Sequence, residues 1–409
     1  MWLVTPGLPR HVWLLQAGVT LNFLGNGLVA PYLILYLHAA RGIPLPVASL
    51  AIASGGILAT ASGLVAGRLI DRLGPRTCLA FAMAANAVAY AGYTQVSVPW
   101  HAFGVGLAVG VGTGAYGPSA QSLLAAIVSP EQRSAALSQQ RMSAVLGLSL
   151  GGLAGGLLVA LGLAAGYSSL LVLDSLTFLG FALLVLRLPD PRPVRERRTG
   201  GYLDAVRDRH LRVLATANLV MVSASIAPMM LILPAFARAT GDVPPAAIGL
   251  IYTVNAVCIL LAQLRITAAV SGRAPLRTLA IAAFGWAAAW AVAAATGAVL
   301  RGWPAAVGFA AVMVMYAASE CVYTALLTPT AVAIAPDRLR GRYLAIIGFT
   351  WQTGFSIGPP IASLVLAAAP LAFPLGEAAV CLLLAVALIR RQRGATSVGP
   401  IAANSTPSR

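Results

Sequence analysis

The chain has no lysine. Its 27 basic residues are all arginine, and only 11 of its 409 residues are acidic. Charged residues make up 9% of the whole, where a soluble domain carries about a quarter. A soluble core of this length is thereby excluded. The four cysteines, Cys78, Cys258, Cys321 and Cys381, are scattered and form no CxxC pair. They read as small apolar packers, with no disulfide framework and no metal site. The four histidines (His11, His38, His101 and His210) fall near the ends of apolar runs or between them. There is no Walker A loop, no G-x-S-x-G, no HExxH and no paired-carboxylate set, which argues against ATP-driven transport and against an enzyme. No cofactor is expected. The missing lysine, beside so much alanine, points to a GC-rich coding genome and hence a bacterium.

What the chain does contain is apolar sequence. It is 59% hydrophobic, with a mean hydropathy of +0.85. Crossing a bilayer takes about 20 apolar residues as a helix, and backbone groups in lipid must bond within their own segment. The runs are too uniformly apolar for the alternating strands of a membrane barrel. Twelve helical spans are expected, at roughly 12–38, 46–70, 77–97, 102–128, 138–165, 168–188, 211–237, 245–269, 277–299, 304–335, 342–369 and 373–390. The first run is followed by no cleavage site and reads as a retained helix.

A net charge of +16 suggests nucleic acid, but its distribution does not. On the twelve-span reading only Arg41, Arg238 and Arg301 fall on one side, and the other 24 arginines lie on the opposite side. That asymmetry places both termini in the cytoplasm. Residues 1–188 and 211–390 then form two six-helix units, divided by a Pro/Gly/Arg-rich linker at 189–210 and followed by a polar tail at 391–409 that reads as disordered. Within the linker, 198–209 reads either as a short amphipathic helix with Tyr202, Leu203 and Val206 toward lipid or as a solvated connector.

The two units repeat. Asn22-x8-Pro31 matches Asn218-x9-Pro228, and Pro130-Glu131-x-Arg133 matches Pro336-Asp337-x2-Arg340. Gly147-x3-Gly151-Gly152-x2-Gly155-Gly156 matches Gly354-x3-Gly358-Pro359-x2-Ala362-Ser363. These are three ordered matches at nearly constant offset.

Between spans 2 and 3 the chain reads Gly67-Arg-Leu-Ile-Asp71-Arg72-Leu-Gly74-Pro-Arg76. A carboxylate there can accept charge-assisted bonds from arginine and face a helix N-terminus. This stretch resembles the signature loop of the major facilitator superfamily, G-x-L-x-D-R-x-G-R-R, with Pro75 in place of the first basic residue of the final pair. The resemblance extends over about residues 10–390. It implies an all-α membrane protein of twelve transmembrane helices in two pseudo-symmetric six-helix bundles, with substrate held near midplane between them. It implies multi-pass insertion in a bacterial plasma membrane, a monomer, and protons and a small molecule as partners. In this resemblance Gly67, Asp71, Arg72, Gly74 and Arg76 act as a conformational latch without touching substrate. The matching stretch Ser271-Gly-Arg273-Ala-Pro-Leu-Arg277 keeps arginine and lacks the acid.

The candidate site residues follow from what a bilayer penalises. An ionisable side chain inside a span needs a reason, and Glu320 and Asp174 are the two clear cases. Tyr316, Glu320, Tyr323 and Thr324 share one helical face. A carboxyl in an apolar cavity has its charged form disfavoured, which suits a group that takes up and releases a proton. Glu320 reads as that group, or as a hydrogen-bonded structural residue, or as a contact for a cationic substrate. Asp174 reads as a proton carrier or as the partner of a neighbouring hydroxyl or amide. Asn22, Asn26, Gln121, Tyr252, Asn255, Trp351 and Gln352 join Tyr316 and Tyr323 as candidates for a mixed apolar and hydrogen-bonding cavity. Arg141 and Arg265 read as snorkelling cations or as an anion trap at the inner mouth.

Gly147, Gly151 and Gly155, with Gly358-Pro359 in the second half, permit close helix packing. Their pattern also resembles the span-5 motif of drug/proton antiporters, with Gly152 replacing the proline. Span 4 lacks the arginine usual in that branch, and span 1 lacks an acid. The reading is proton-coupled export of a small, partly apolar organic compound. The alternative is proton-linked uptake of a nutrient, for which the sugar case predicts a more polar cavity.

Overall fold

The computed structural model describes residues 9–129, 132–163, 167–189, 202–336 and 339–396. The linker stretch 190–201, Glu131 and Asp337 of the internal repeat, and the tail from 397 lie outside the described residues. Helix occupies each of the twelve expected positions. These are α1 (Arg10–Val29), α2 (Leu45–Leu73), α3 (Pro75–Tyr93), α4 (Pro99–Ile127), α5 (Arg133–Ala160) and α6 (Ser168–Leu186) in the first half. In the second half they are α7 (Arg209–Met221), α8 (Pro245–Val270), α9 (Pro275–Val299), α10 (Gly302–Ile334), α11 (Arg340–Ala368) and α12 (Ala372–Thr396). Among the described residues, nine are long and apolar enough to cross a membrane by length and composition. The other three, α3, α4 and α11, fall short because glycine, proline and polar side chains dilute their apolar content.

Local chemistry sets the ends. Proline occupies one of the first two positions of α2, α3, α4, α8 and α9, where its missing N–H costs nothing. Glycines with positive φ turn the chain between α2 and α3 (Gly74, 82°) and between α8 and α9 (Gly272, 75°), a conformation other residues adopt only with strain. These two joints sit at matching places in the halves.

Three features depart from the sequence pattern. The first and seventh crossings are broken. After Val29 the chain turns at Pro31 and continues as Leu33–Leu35 and a π-turn at Tyr36–Ala40. After Met221 it passes through a π-turn at Val222–Ile226 and two short helices, Ala227–Leu231 and Leu233–Gly241. Pro31, Pro228 and Pro234 each remove an i→i−4 bond, and the π-turns absorb the slack. Next, α2 runs on to Leu73 and takes in Asp71 and Arg72, so the expected loop shrinks to Gly74. The last helix continues to Thr396, six residues into the segment expected as tail. Within the linker Tyr202–Arg207 is helical, one of the two forms expected for 198–209. Asp208 follows it as the N-cap of α7, accepting from the backbone N–H of His210 at 2.7 Å and from the Tyr343 hydroxyl of α11 at 2.5 Å. Burial pushes the Asp208 carboxyl up, but the Tyr343 and His210 hydrogen bonds outweigh it and hold it below the usual carboxylate range.

The helices pack through backbone rather than through long side chains. A β-carbon added at Gly147, Gly151 or Gly155 of α5 would run into the backbone of Thr20, Leu24 or Leu28 of α1. Gly354 and Gly358 of α11 lie in the same way against Val222 and Ser223 of the seventh crossing, and buried Pro359 follows inside the helix. Small residues at this spacing let helices approach closely in lipid. A further seam, α2 on α4, uses Gly106, Gly110 and Gly114 against the carbonyls of Ala51, Gly55 and Ala59.

One large apolar core runs through the whole second half and takes in only the far end of the first, including Leu28, Tyr32, Leu45, Ala51, Tyr93 and Ala102. The rest of the first half has its own core, around Val12, Leu79, Leu123 and Phe181. The halves are therefore joined at the end remote from the termini. Close contacts between them lie there too. Ser49 of α2 and Ser363 of α11 are 2.6 Å apart, hydroxyl to hydroxyl, and both are buried. Gly156 of α5 meets Gly249 of α8 backbone to backbone, with the Tyr32 ring beside them. Toward the termini, Gly67, Gly117 and Gly348 face open space, and Leu73 and Phe349 are exposed.

Candidate functional site

In the second half the site is organised around Glu320, midway along α10. Glu320 is half-buried, and the side chain of Asn255 on α8 faces its carboxyl. Glu320 Oε2 and Asn255 Oδ1 are buried with no hydrogen-bond partner among the described residues. The Asn255 side chain hydrogen-bonds the carboxyl, so one acceptor oxygen on each group is left over, which is costly in a low-dielectric interior. A proton on the carboxyl turns one of them into a donor.

An aromatic wall stands behind this pair. Trp286 of α9 contacts the rings of Tyr316 (6.0 Å between centroids) and Tyr323 (5.6 Å). Tyr323 stacks on Trp351 of α11 at 6.2 Å, and Trp351 meets Phe355 at 5.4 Å. Tyr316 and Tyr323 are buried, so they brace helices rather than face an open cavity. The Tyr323 hydroxyl donates to Asn218 Oδ1 at 2.5 Å. The Asn218 amide donates to Ile347 O at 2.9 Å and to the Thr350 hydroxyl at 2.7 Å. These bonds tie α7, α10 and α11 together just below the break in the seventh crossing. Tyr252 is also committed, its hydroxyl donating to Met229 O at 2.6 Å. Gln263 of α8 reaches the Cys321 carbonyl and the Thr324 hydroxyl.

In the first half Asp174 of α6 is fully buried, at 0% exposure. The Thr177 hydroxyl lies 3.1 Å from its Oδ1, and its Oδ2 has no partner among the described residues. Gly25 of α1 lies against it; a β-carbon there would land on Asp174 and Thr177. Tyr90 of α3 lies beside the carboxyl on another side. Asn22, one turn before Gly25, is buried with an unpartnered Oδ1, and Asn26 donates to the Asn22 carbonyl of its own helix. Gln121 of α4 is exposed.

Asp71 and Arg72 are exposed at the end of α2, and Asp71 has no ion-pair partner among the described residues. Arg76 points the other way and donates to Leu188 O at 3.1 Å, tying α3 to the end of α6. Gly67 has open space at its Cα. Arg141 and Arg265 are both exposed.

Gln352 is set apart from the Glu320 group. It closes a small cavity of about 100 Å³ whose other walls belong to the first half, among them Gly55, Gly106, Gly110, Tyr90 and Tyr93. A wider groove of about 350 Å³ lies at the α8–α9 turn beside Arg273 and Arg277, away from both buried carboxyls.

Sequence reasoning passed over several members of these clusters. Asn218 is the repeat partner of Asn22, so the offset between halves flags it. Trp286, Tyr90 and Gln263 carry no motif, and only the fold brings them to the carboxyls.

The profile of the Major Facilitator Superfamily matches residues 17–241, more than half of the chain. Among solved structures, the nucleoside transporter NupG is 14% identical with a TM-score of 0.75, covering 94% of this chain and 100% of that one. A D-xylose-proton symporter is 14% identical with a TM-score of 0.74, covering 92% and 96%. The human organic anion transporter MFSD10 is 15% identical with a TM-score of 0.66, covering 93% and 100%. At these identities the likeness is one of fold. No curated protein sequence matches the chain.

Proposed function

The chain belongs to the major facilitator superfamily and is a multi-pass secondary transporter, not an enzyme; from that premise we propose that it exports a small, partly apolar organic compound in exchange for protons. Glu320 is the proton-exchanging group. The observation that carries this reading is the Glu320–Asn255 pair midway along α10 and α8, where Glu320 Oε2 and Asn255 Oδ1 are each buried without a hydrogen-bond partner among the described residues. Protonated, the pair is satisfied; deprotonated, it favours opening to water. A conformational change that alternately seals and wets α10 thereby couples proton movement to transport.

The arginine distribution supports a bacterial plasma-membrane protein with both termini in the cytoplasm. On that orientation the end where the halves are joined faces outward, and Asp71 has no ion-pair partner among the described residues at the cytoplasmic end. Asp174 is a second candidate for proton carriage. The glycine row of α5 and the Asp71 motif support export; the likeness to a proton symporter favours the uptake alternative.

The test uses purified protein in liposomes with an imposed pH gradient and an internal pH dye, comparing wild type with Glu320→Gln across candidate compounds. Proton movement that depends on compound and is lost in the variant is the expected result, and the sign of compound flux against the gradient separates export from uptake. A variant that still drives uphill flux with unchanged pH dependence removes Glu320 from the coupling role.

A further inference from the structure

The cavity closed by Gln352 has a composition unlike the rest of the molecule. Its floor is the glycine seam between α2 and α4, where Gly55, Gly106 and Gly110 carry no side chain and cannot, because each faces the backbone of the opposite helix. Tyr90 and Tyr93 stand at one side, and Thr113 is exposed at the rim. Only Gln352 comes from the second half. The side chains of Gln352, Tyr90 and Thr113 have no hydrogen-bond partner among the described residues. Three residues able to donate and to accept thus line one slot. No carboxylate, guanidinium or imidazole lines it.

We propose that this slot is the recognition site for an uncharged, hydrogen-bonding head group on the transported compound, of the carboxamide, urea or hydroxyl class. A charged head entering here is stripped of water with no countercharge to meet it, which costs several kcal/mol. An amide or hydroxyl can exchange hydrogen bonds with Gln352, Tyr90 or Thr113. The volume sets the size: about 100 Å³ is less than the ~150 Å³ apolar cavity that accepts a benzene molecule. A head group fits while the apolar remainder stays outside the slot. Because ten of its lining residues come from α2, α3 and α4, with Leu33 beyond α1 and Gln352 alone from α11, an occupant bridges the two halves. Its recognition and the proton on Glu320 then reside in different halves, with no lining residue in common.

This assignment rests on the reading of the chain as a carrier of a small organic compound, and its test is separable from proton coupling. Full-length protein in lipid nanodiscs is titrated with benzamide, benzyl alcohol, benzoate and benzamidinium, and binding is followed by saturation-transfer NMR. Benzamide is expected to bind saturably, at least tenfold more tightly than either ion. Gln352→Met and Tyr90→Phe should each weaken it about three- to tenfold, the loss of one hydrogen bond to a neutral group. Thr113→Val, at the exposed rim, provides a third variant should either of the others fail to fold. The proposal is overturned if no benzamide binding saturates, if the ions bind as well, or if the folded variants bind like wild type. If wild-type flux proves independent of pH while benzamide binding still depends on Gln352, the coupling assignment fails and the slot stands.

Discussion

The Ser49–Ser363 contact offers a direct hold on the equilibrium between conformations. The two hydroxyls are 2.6 Å apart, at 1% and 0% exposure, where α2 of one half meets α11 of the other. Each has a second acceptor in its own helix: Leu45 O at 2.9 Å from Ser49 and Pro360 O at 2.8 Å from Ser363. With Pro46 O also 3.1 Å from Ser49, two protons serve four contacts, so the bond between halves displaces a local one. Ser363→Ala leaves no orphaned group and should shift the equilibrium by about 0.5 kcal/mol, roughly twofold. Ser363→Leu is different. It drives a branched side chain into a closed contact, and overpacking of that kind costs about 1–3 kcal/mol. The cost falls only on the conformation shut at this end. The population should therefore move about 5- to 150-fold toward the conformation open there. Spin labels at Trp100 and Trp303 report the far end, and labels at Leu73 and Ser271 report the end bearing the termini; all four positions are exposed. The native cysteines are replaced beforehand. Electron–electron distance measurements should show the first pair moving apart and the second approaching in Ser363→Leu, with Ser363→Ala close to wild type. Wild-type distances for both pairs in a folded leucine variant would refute the view that this contact exists in one conformation only.

Three further outcomes are expected. Gly151→Ala and Gly358→Ala place a β-carbon against backbone of Leu24 and Ser223 and should each destabilise the protein by about 1–3 kcal/mol, seen as a lower melting temperature in detergent; Gly152→Ala, with open space at its Cα, should melt like wild type. Asp71→Asn should slow turnover in liposomes while leaving compound affinity nearly intact, and a large affinity loss at normal turnover would contradict a latch. The Asp208 carboxyl is held low in the folded state, so its contribution is present above the ordinary carboxylate range and is lost as pH falls through the folded value. Tyr343→Phe removes one of the bonds that lower it and should flatten the fall in melting temperature between about pH 5 and 3.

Much of the fold was legible because the bilayer admits few solutions. Runs of about 20 apolar residues must be helices, and the nearly constant offset between Asn22 and Asn218 or Gly147 and Gly354 displayed the duplication without coordinates. The glycine rows marked the α1–α5 seam and its counterpart. The α2–α4 seam bears the same spacing at Gly106, Gly110 and Gly114. Candidate site residues were less legible. Asn255 and Glu320 are 65 positions apart and on different helices, and nothing local says that they face each other. Tyr316 and Tyr323 share the helical face of Glu320, but whether that face meets water or other rings depends on Trp286 and Trp351, which arrive from α9 and α11.

By itself the sequence determined that this chain crosses a membrane many times as helix, in two like halves, with a tight glycine joint at Gly74 and two acids where lipid tolerates few. Hydrophobic period, charge asymmetry and turn chemistry are local quantities, and they suffice for that. Only the tertiary structure decided which end of the halves is shut and which polar groups are left without a partner. It alone also showed that Gln352 closes a cavity built by the other half. Those properties belong to the approach of helices distant in the chain, where a shift of an ångström turns a satisfied hydrogen bond into a buried unpaired oxygen.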